Sequence, residues 1–93
     1  MIADGESFYR ALGERIAELR RKRKLTQQHL ADALGISQRT VGHYEVGRIR
    51  VQVYMLPELS DCLGVSISEL IDPVRKALSS RRKPGRNLSE RGG

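Results

Sequence analysis

Apolar residues recur along most of this chain at the spacing of helices. Phe8, Leu12, Ile16 and Leu19, separated by four, four and three positions, predict a first helix from about Ser7 to Arg23. It ends in the run Arg20-Arg21-Lys22-Arg23-Lys24, whose positive charge suits the negative end of a helix dipole. Thr26 is a start signal for a second, shorter helix with Leu30, Ala31 and Leu34 on one face. Ser37 starts a third, with Val41 and Tyr44 on one face. Between them Gly35 supplies the left-handed backbone on which a helix stops and turns sharply, and Ile36 closes the small core between the two. A fourth helix opens near Leu56, with Pro57 tolerated in its first turn, and stops before Gly64; Leu59 and Leu63 face its core side. Ser66 and Glu69 then form a capping box, S-x-x-E, over Ile67, Leu70 and Ile71.

Two stretches break this pattern. Asp72-Pro73 reads as a second cap followed by a first-turn proline, which predicts a separate short helix over 73–80 displaying Val74, Ala77 and Leu78 on one side. From Val46 to Met55 the chain reads V-G-R-I-R-V-Q-V-Y-M. There Ile49, Val51 and Val53 alternate with Arg48, Arg50 and Gln52, a strand-like period of two. This stretch is either an extended loop tucking its apolar side under the fourth helix or part of an interface with a second subunit. The expected organisation is all-α: a flexible arm over 1–6, a five-helix domain over 7–72, the short helix over 73–80 and a basic disordered tail over 81–93.

The second and third helices with their Gly-centred turn make a helix-turn-helix, and the free face of an α-helix fits the major groove of DNA. Counting about 100° per residue from Gln38, Val41 and Tyr44 fall at about 300° and about 240°, the core side. Arg39, Gly42 and His43 fall opposite, at about 100°, about 40° and about 140°, with Gln38 at their edge. Gln can bond adenine bidentately and Arg can fork onto guanine O6 and N7, so Gln38, Arg39 and His43 are the candidates for base contact. For His43, base contact, phosphate contact and simple exposure all stay open. Thr40, at about 200°, sits at the flank, within reach of a phosphate. Gly42 is less favourable than Ala in a helix by about 1 kcal/mol, which fits either a close approach to DNA or sequence drift. Gln27 opens the second helix, where its side chain and the free N–H groups can hold a phosphate oxygen. Arg48 and Arg50 follow the third helix and are candidate phosphate clamps.

From Glu14 to Leu70 the chain resembles the lambda-repressor-like, or XRE-type, family of small bacterial and phage DNA-binding regulators. The resemblance is carried by four blocks in order: R-x-x-x-K-L-T-Q-x-x-L-A from Arg20 to Ala31, L-G-I-S-Q-x-T-V from Leu34 to Val41, Y-E-x-G from Tyr44 to Gly47, and L-P-E-L-S-x-x-L-G-V from Leu56 to Val65. It implies a compact five-helix domain working as a homodimer on a double-stranded DNA operator, most often as a repressor. It points to Gln38, Arg39 and His43 for base contacts and implies that Gln27 braces Gln38. It also pairs Glu45 with Arg20 as a structural salt bridge, which would mask an acid lying beside a DNA-binding helix. The alternating stretch from Val46 to Met55 departs from the family, whose members usually have a polar loop there.

Charge adds one point to this picture. Residues 1–73 hold ten Lys/Arg and ten Asp/Glu, whereas residues 74–93 hold seven Lys/Arg and one Glu, so the whole net charge of +6 lies in the last twenty residues. Such a tail favours nucleic acid without sequence preference, or simply aids solubility. The single Cys62 excludes an internal disulfide and reads as a small, half-buried hydrophobe, compatible with a reducing cytoplasm. No apolar run nears the roughly 18 residues of a membrane span, and no signal pattern opens the chain. A cytoplasmic protein of bacterial or phage origin is expected, associated with the nucleoid when bound. No Gly-rich phosphate loop or zinc spacing is present, so neither an enzyme nor a cofactor is implied. In 93 residues no room is expected for a self-cleaving or ligand-binding domain. The alternative is an antitoxin or bridging protein whose residues 74–93 fold on a protein partner.

Overall fold

The computed structural model describes residues 5–81. Its elements are α1 (Gly5–Lys22), α2 (Gln27–Leu34), α3 (Gln38–Glu45), a 3-10 turn (Val53–Met55), α4 (Leu56–Leu63) and α5 (Ile67–Arg81). The all-α expectation holds, and no strand occurs among the described residues. Leu12 and Ile16 of α1, Leu30 of α2, Val41 of α3, Leu59 and Leu63 of α4 and Leu70 of α5 meet in one fully buried core. Helix α1 runs through its centre, packed against α3 on one side and α5 on another, while α2 rests on α3 and α4.

Three helix ends are built alike. After α1, α2 and α4 the chain turns left-handed at Lys24, Gly35 and Gly64, and the next residue's N–H reaches back to the carbonyl five residues earlier: Leu25 to Arg20, Ile36 to Ala31, Val65 to Ser60. This Schellman geometry satisfies carbonyls that the helix leaves free. The next helices then open on side-chain caps. Ser37 Oγ accepts from the Thr40 N–H (3.1 Å), and Ser66 and Glu69 complete the expected capping box (3.0 and 2.8 Å).

The boundaries differ from expectation in three places. Helix α1 already includes Gly5 and Glu6, two positions expected to belong to the arm over 1–6; Glu6 in the first turn stabilises the positive helix end. Residues 1–4 lie outside the described residues, as does the tail from 82 on, whose expected start, Arg81, closes α5. The alternating stretch does not tuck its whole apolar side in as an extended loop: of Ile49, Val51 and Val53 only Val51 is buried. It turns over 46–49 and curls at Gln52, whose carbonyl accepts from the Met55 N–H (2.9 Å), so the buried positions are Val51 and Met55, four apart. Ile49, Val53 and Tyr54 stay exposed. A lone strand has no neighbour for its backbone groups, whereas the 3-10 turn feeds directly into α4.

The third difference is at Pro73. The separate helix expected over 73–80 is instead the second half of α5, which runs through the proline. A proline inside a helix removes the N–H that the carbonyl four residues earlier would accept. That carbonyl belongs to Glu69, and Arg15 of α1 donates Nη2–H to it at 2.8 Å. The Nη1 of Arg15 reaches Glu18 (3.3 Å), while its Nε is buried without a hydrogen-bond partner. Val74, next to the proline, is 2% exposed, so the continued helix keeps an apolar anchor in the core.

This substitution of donors has a measurable signature. Arg15→Met keeps the apolar stem and removes the donor, and is expected to lower the unfolding free energy by about 1–3 kcal/mol. In a Pro73→Ala background, where residue 73 regains its N–H, the same change should cost roughly half as much or less. Urea unfolding of the four proteins measures the coupling; equal losses in both backgrounds would dismiss Arg15 as the proline's replacement donor.

Candidate nucleic-acid interface

Helix α2 starts on a reciprocal cap. Thr26 Oγ1 accepts from the His29 N–H (3.0 Å), and the Thr26 N–H donates to His29 Nδ1 (3.1 Å). An imidazole here does the work usually done by Glu or Gln, which hid this capping box from sequence reading. The left-handed Gly35 (φ 71°) then turns the chain into α3, completing the helix-turn-helix.

The faces of α3 sort as the helical wheel requires. Val41 and Tyr44 are buried, and desolvation pushes the Tyr44 phenol above its ordinary value, with Tyr54 adding to the effect. Gln38 and Arg39 are exposed, and Thr40, Gly42 and His43 are half-buried. The Thr40 hydroxyl lies 2.9 Å from Ser37 Oγ, so it is held at the helix start and not free to rotate. A Cβ added at Gly42 would meet nothing nearer than the Gln27 amide at 3.8 Å, so the fold itself does not demand glycine there.

Glu45 ends α3 in a different setting. Its side chain is 6% exposed and that of Arg20 12%. Arg20 Nε donates to Glu45 Oε2 (2.7 Å) and Nη2 to Oε1 (3.2 Å), while Nη1 donates to the Leu25 carbonyl (2.8 Å). One guanidinium thus joins the end of α1, the loop into α2 and the end of α3. Gln27 Nε2 also donates to Glu45 Oε1 (2.9 Å), and Gln38 Nε2 lies 3.5 Å from Gln27 Oε1. The line Arg20–Glu45–Gln27–Gln38 therefore runs from the core to the exposed start of α3. The Glu45–Gln27 bond was missed in the sequence, where eighteen positions separate the two residues and no local pattern links them.

Gly13 was missed as well. It lies buried in the middle of α1, and a Cβ there would fall on the carbonyl oxygens of Tyr44 and Glu45. The backbone of α1 thus lies against the end of α3, a closeness only glycine permits. The sole sequence signal was a glycine within a helical pattern, unfavourable by about 1 kcal/mol and so in need of a reason.

The arginines after α3 part company. The Arg48 N–H donates to the His43 carbonyl (2.8 Å), and its side chain is exposed. The Arg50 guanidinium stacks over the Tyr9 ring (5.4 Å to the centroid), beside Gly5 at the start of α1. Of the basic run, Arg20 turns inward and Arg21, Lys22, Arg23 and Lys24 stay exposed. Cys62 is half-buried, and burial, then Glu58 and Asp61, push its thiol up, away from the reactive thiolate. Among the described residues no group of His, Cys, Asp and Glu is placed to hold a metal ion, and no helix is long and apolar enough to cross a membrane.

Helix starts differ across the fold. Helices α1, α4 and α5 carry Glu6, Glu58 and Glu69 in their first turns, whereas α2 and α3 carry no acid there. The two helices of the helix-turn-helix thus leave the positive ends of their dipoles open to an outside anion.

A helix-turn-helix family model matches residues 16–70. The chain is 40% identical over 62 residues to the uncharacterized HTH-type transcriptional regulator y4dJ of Sinorhizobium fredii, covering 67% of this chain and 80% of that protein. It is 39% identical over 59 residues to the SPbeta prophage-derived uncharacterized HTH-type transcriptional regulator YonR of Bacillus subtilis. That match covers 63% of this chain and only 55% of YonR. Among solved structures, the clp gene regulator ClgR of Corynebacterium glutamicum superposes with a TM-score of 0.74 at 23% identity, over 80% of this chain and 79% of that one, a likeness of fold. The restriction-modification controller protein C.AhdI of Aeromonas hydrophila gives a TM-score of 0.63 at 31% identity, over 67% of this chain and 94% of that one. By the two capped helices around Gly35, the buried support beneath α3 and these matches, the chain belongs to the XRE-type helix-turn-helix family of transcriptional regulators, DNA-binding proteins rather than enzymes.

Proposed function

We propose that this protein is a homodimeric, sequence-specific repressor that reads the major groove of a double-stranded DNA operator with α3. The observation that carries this reading is the division of α3 itself: one side is buried in the core, while Gln38 and Arg39 stand exposed on the other. Gln38 and Arg39 are the base readers, with His43 beside them. Gln27 and Thr40, at the acid-free helix starts, and Arg48 beyond α3 contact phosphates. Arg50 reaches a phosphate only by leaving the Tyr9 ring. Arg20 and Glu45 touch no DNA and hold α3 in place.

One such helix spans only a few base pairs, so useful specificity requires two half-sites about 34 Å apart and therefore two copies of the domain. The exposed Ile49, Val53 and Tyr54 offer apolar surface for that pairing. A dimer seated across an operator excludes competing proteins from the same DNA, which is sufficient for repression in the cytoplasm of a bacterium, on its own or phage DNA.

Selection from a random duplex library at about 150 mM salt, where distant phosphate attraction is screened, is expected to enrich a palindrome with half-sites about one turn apart. An absence of any motif would overturn this reading and point to a required protein partner. Arg39→Ala should relax preference at one base position by about 1–3 kcal/mol, whereas Arg48→Ala should weaken all sequences alike and reduce the salt slope by about 1. Uniform weakening by Arg39→Ala would remove Arg39 from base reading.

His29→Glu tests the open helix start. It retains an acceptor for the Thr26 N–H and suits the dipole, so stability should hold or rise by about 0.5 kcal/mol, while affinity for duplex DNA falls several-fold. Unchanged affinity would show that the start of α2 does not meet phosphate.

A further inference from the structure

We infer that Glu45, although turned away from DNA, determines which purine Gln38 accepts, by fixing the polarity of the Gln27 amide between them. The inference rests on the proposed reading that Gln38 meets a base. It starts from the ionised carboxylate, which can accept hydrogen bonds but not donate them. Arg20 locks that carboxylate with bonds to both oxygens (2.7 and 3.2 Å), and Glu45 Oε1 faces Gln27 at 2.9 Å. The Gln27 atom at that position must be the donor Nε2, because a carbonyl there would set two acceptors against each other. The Gln27 carbonyl is thereby forced outward, toward the first turn of α3.

Gln38 meets this carbonyl at 3.5 Å, a long contact whose strength is small but whose sign is decisive. Facing an acceptor, Gln38 turns its own NH2 toward Gln27. With one N–H committed there, Gln38 has one N–H and its carbonyl left for a base. One donor beside one acceptor matches adenine N7 and N6–H in the major groove. A reversed Gln27 would take up the Gln38 carbonyl instead and leave Gln38 presenting two N–H donors, which match the two acceptors of guanine, N7 and O6. The buried acid therefore selects adenine over guanine from the far end of the helix. Resemblance to the family implies that Gln27 braces Gln38; the role assigned to Glu45 as the source of that brace's direction comes from the bond lengths here.

Glu45→Gln should invert the relay. Its carbonyl would remain with Arg20, and its NH2 would face Gln27, drawing the Gln27 carbonyl inward. The test uses selected duplexes carrying A or G at the base position that Gln38→Ala releases, with binding of the full chain measured by titration. Wild type is expected to prefer A by roughly 5- to 150-fold, the range of one bidentate contact. Glu45→Gln should shift that ratio toward G. Gln27→Met, which leaves the Arg20–Glu45 pair intact and so preserves the fold if Glu45→Gln does not, should collapse it toward unity. The relay is overturned if folded Glu45→Gln and Gln27→Met weaken both duplexes equally and keep the wild-type ratio, or if wild type prefers G at that position. If Gln38→Ala releases no base position at all, the base-reading assignment of Gln38 fails first and takes the relay with it.

Discussion

Glu45 would be an uncompensated buried anion were it not for Arg20, and the geometry of the reading surface depends on that pairing. Removing one partner of such a pair costs about 3–5 kcal/mol, against a total stability of about 5–15 kcal/mol for a domain. A well-packed apolar pair would stabilise the fold equally well. What it would lack is direction. A carboxylate gripped by two guanidinium nitrogens can present its remaining acceptor capacity along only a few lines, and one of them ends on Gln27. The ion pair therefore contributes geometry at the place where α1, α2 and α3 meet, and stability is the smaller part of its value.

Helix α1 provides the other fixed points. Gly13 lets its backbone lie against the last carbonyls of α3, Arg20 holds the acid of that same turn, and Arg15 reaches the opposite way to α5. Recognition by α3 needs its axis placed to within a fraction of an ångström relative to α2, since base and phosphate contacts must be made together. Helix α1 contributes to this by packing directly on α3 and by bonding, through Arg20, to both the end of α3 and the loop that leads into α2. The same helix donates to the Glu69 carbonyl that Pro73 leaves free, and α5 continues past the proline with Val74 in the core and on to Arg81.

What sequence reading recovered follows the range of the interactions involved. The helix-turn-helix was legible because its signals are local: Thr26, Gly35 and Ser37 act within three or four residues, and the apolar faces repeat at the helical period. The division of α3 into faces followed from angle alone. Pro73 misled because the donor that rescues Glu69 comes from Arg15, fifty-four positions away, and no local pattern encodes it. The alternation of Ile49, Val51 and Val53 suggested an extended loop with one apolar side turned in, whereas the turn at Gln52 shifts the buried positions to Val51 and Met55, four apart. The Arg20–Glu45 pair could be expected only from resemblance, and the bond from Glu45 to Gln27 not at all. Of the bonds that orient the site, Arg20–Glu45 and Gln27–Gln38 followed from resemblance alone, and Glu45–Gln27 was not foreseen.

The distribution of acids follows from the proposed binding mode. An acid in the first turn of a helix contributes about 0.3–1 kcal/mol, and α1, α4 and α5 each take that gain with Glu6, Glu58 and Glu69. Helices α2 and α3 forgo it, and α2 does so while keeping a reciprocal cap through His29, which satisfies the hydrogen bonds without adding negative charge. Stability by itself would favour glutamate there, because the bond would be kept and the dipole answered. A neutral cap makes sense when the dipole is to be answered from outside. On the reading proposed above, an acid at that helix start would repel a phosphate oxygen approaching the first N–H groups of α2. On the proposed reading, the unbound domain gives up a small stabilisation at α2 and α3, and a phosphate backbone is the anion that restores it.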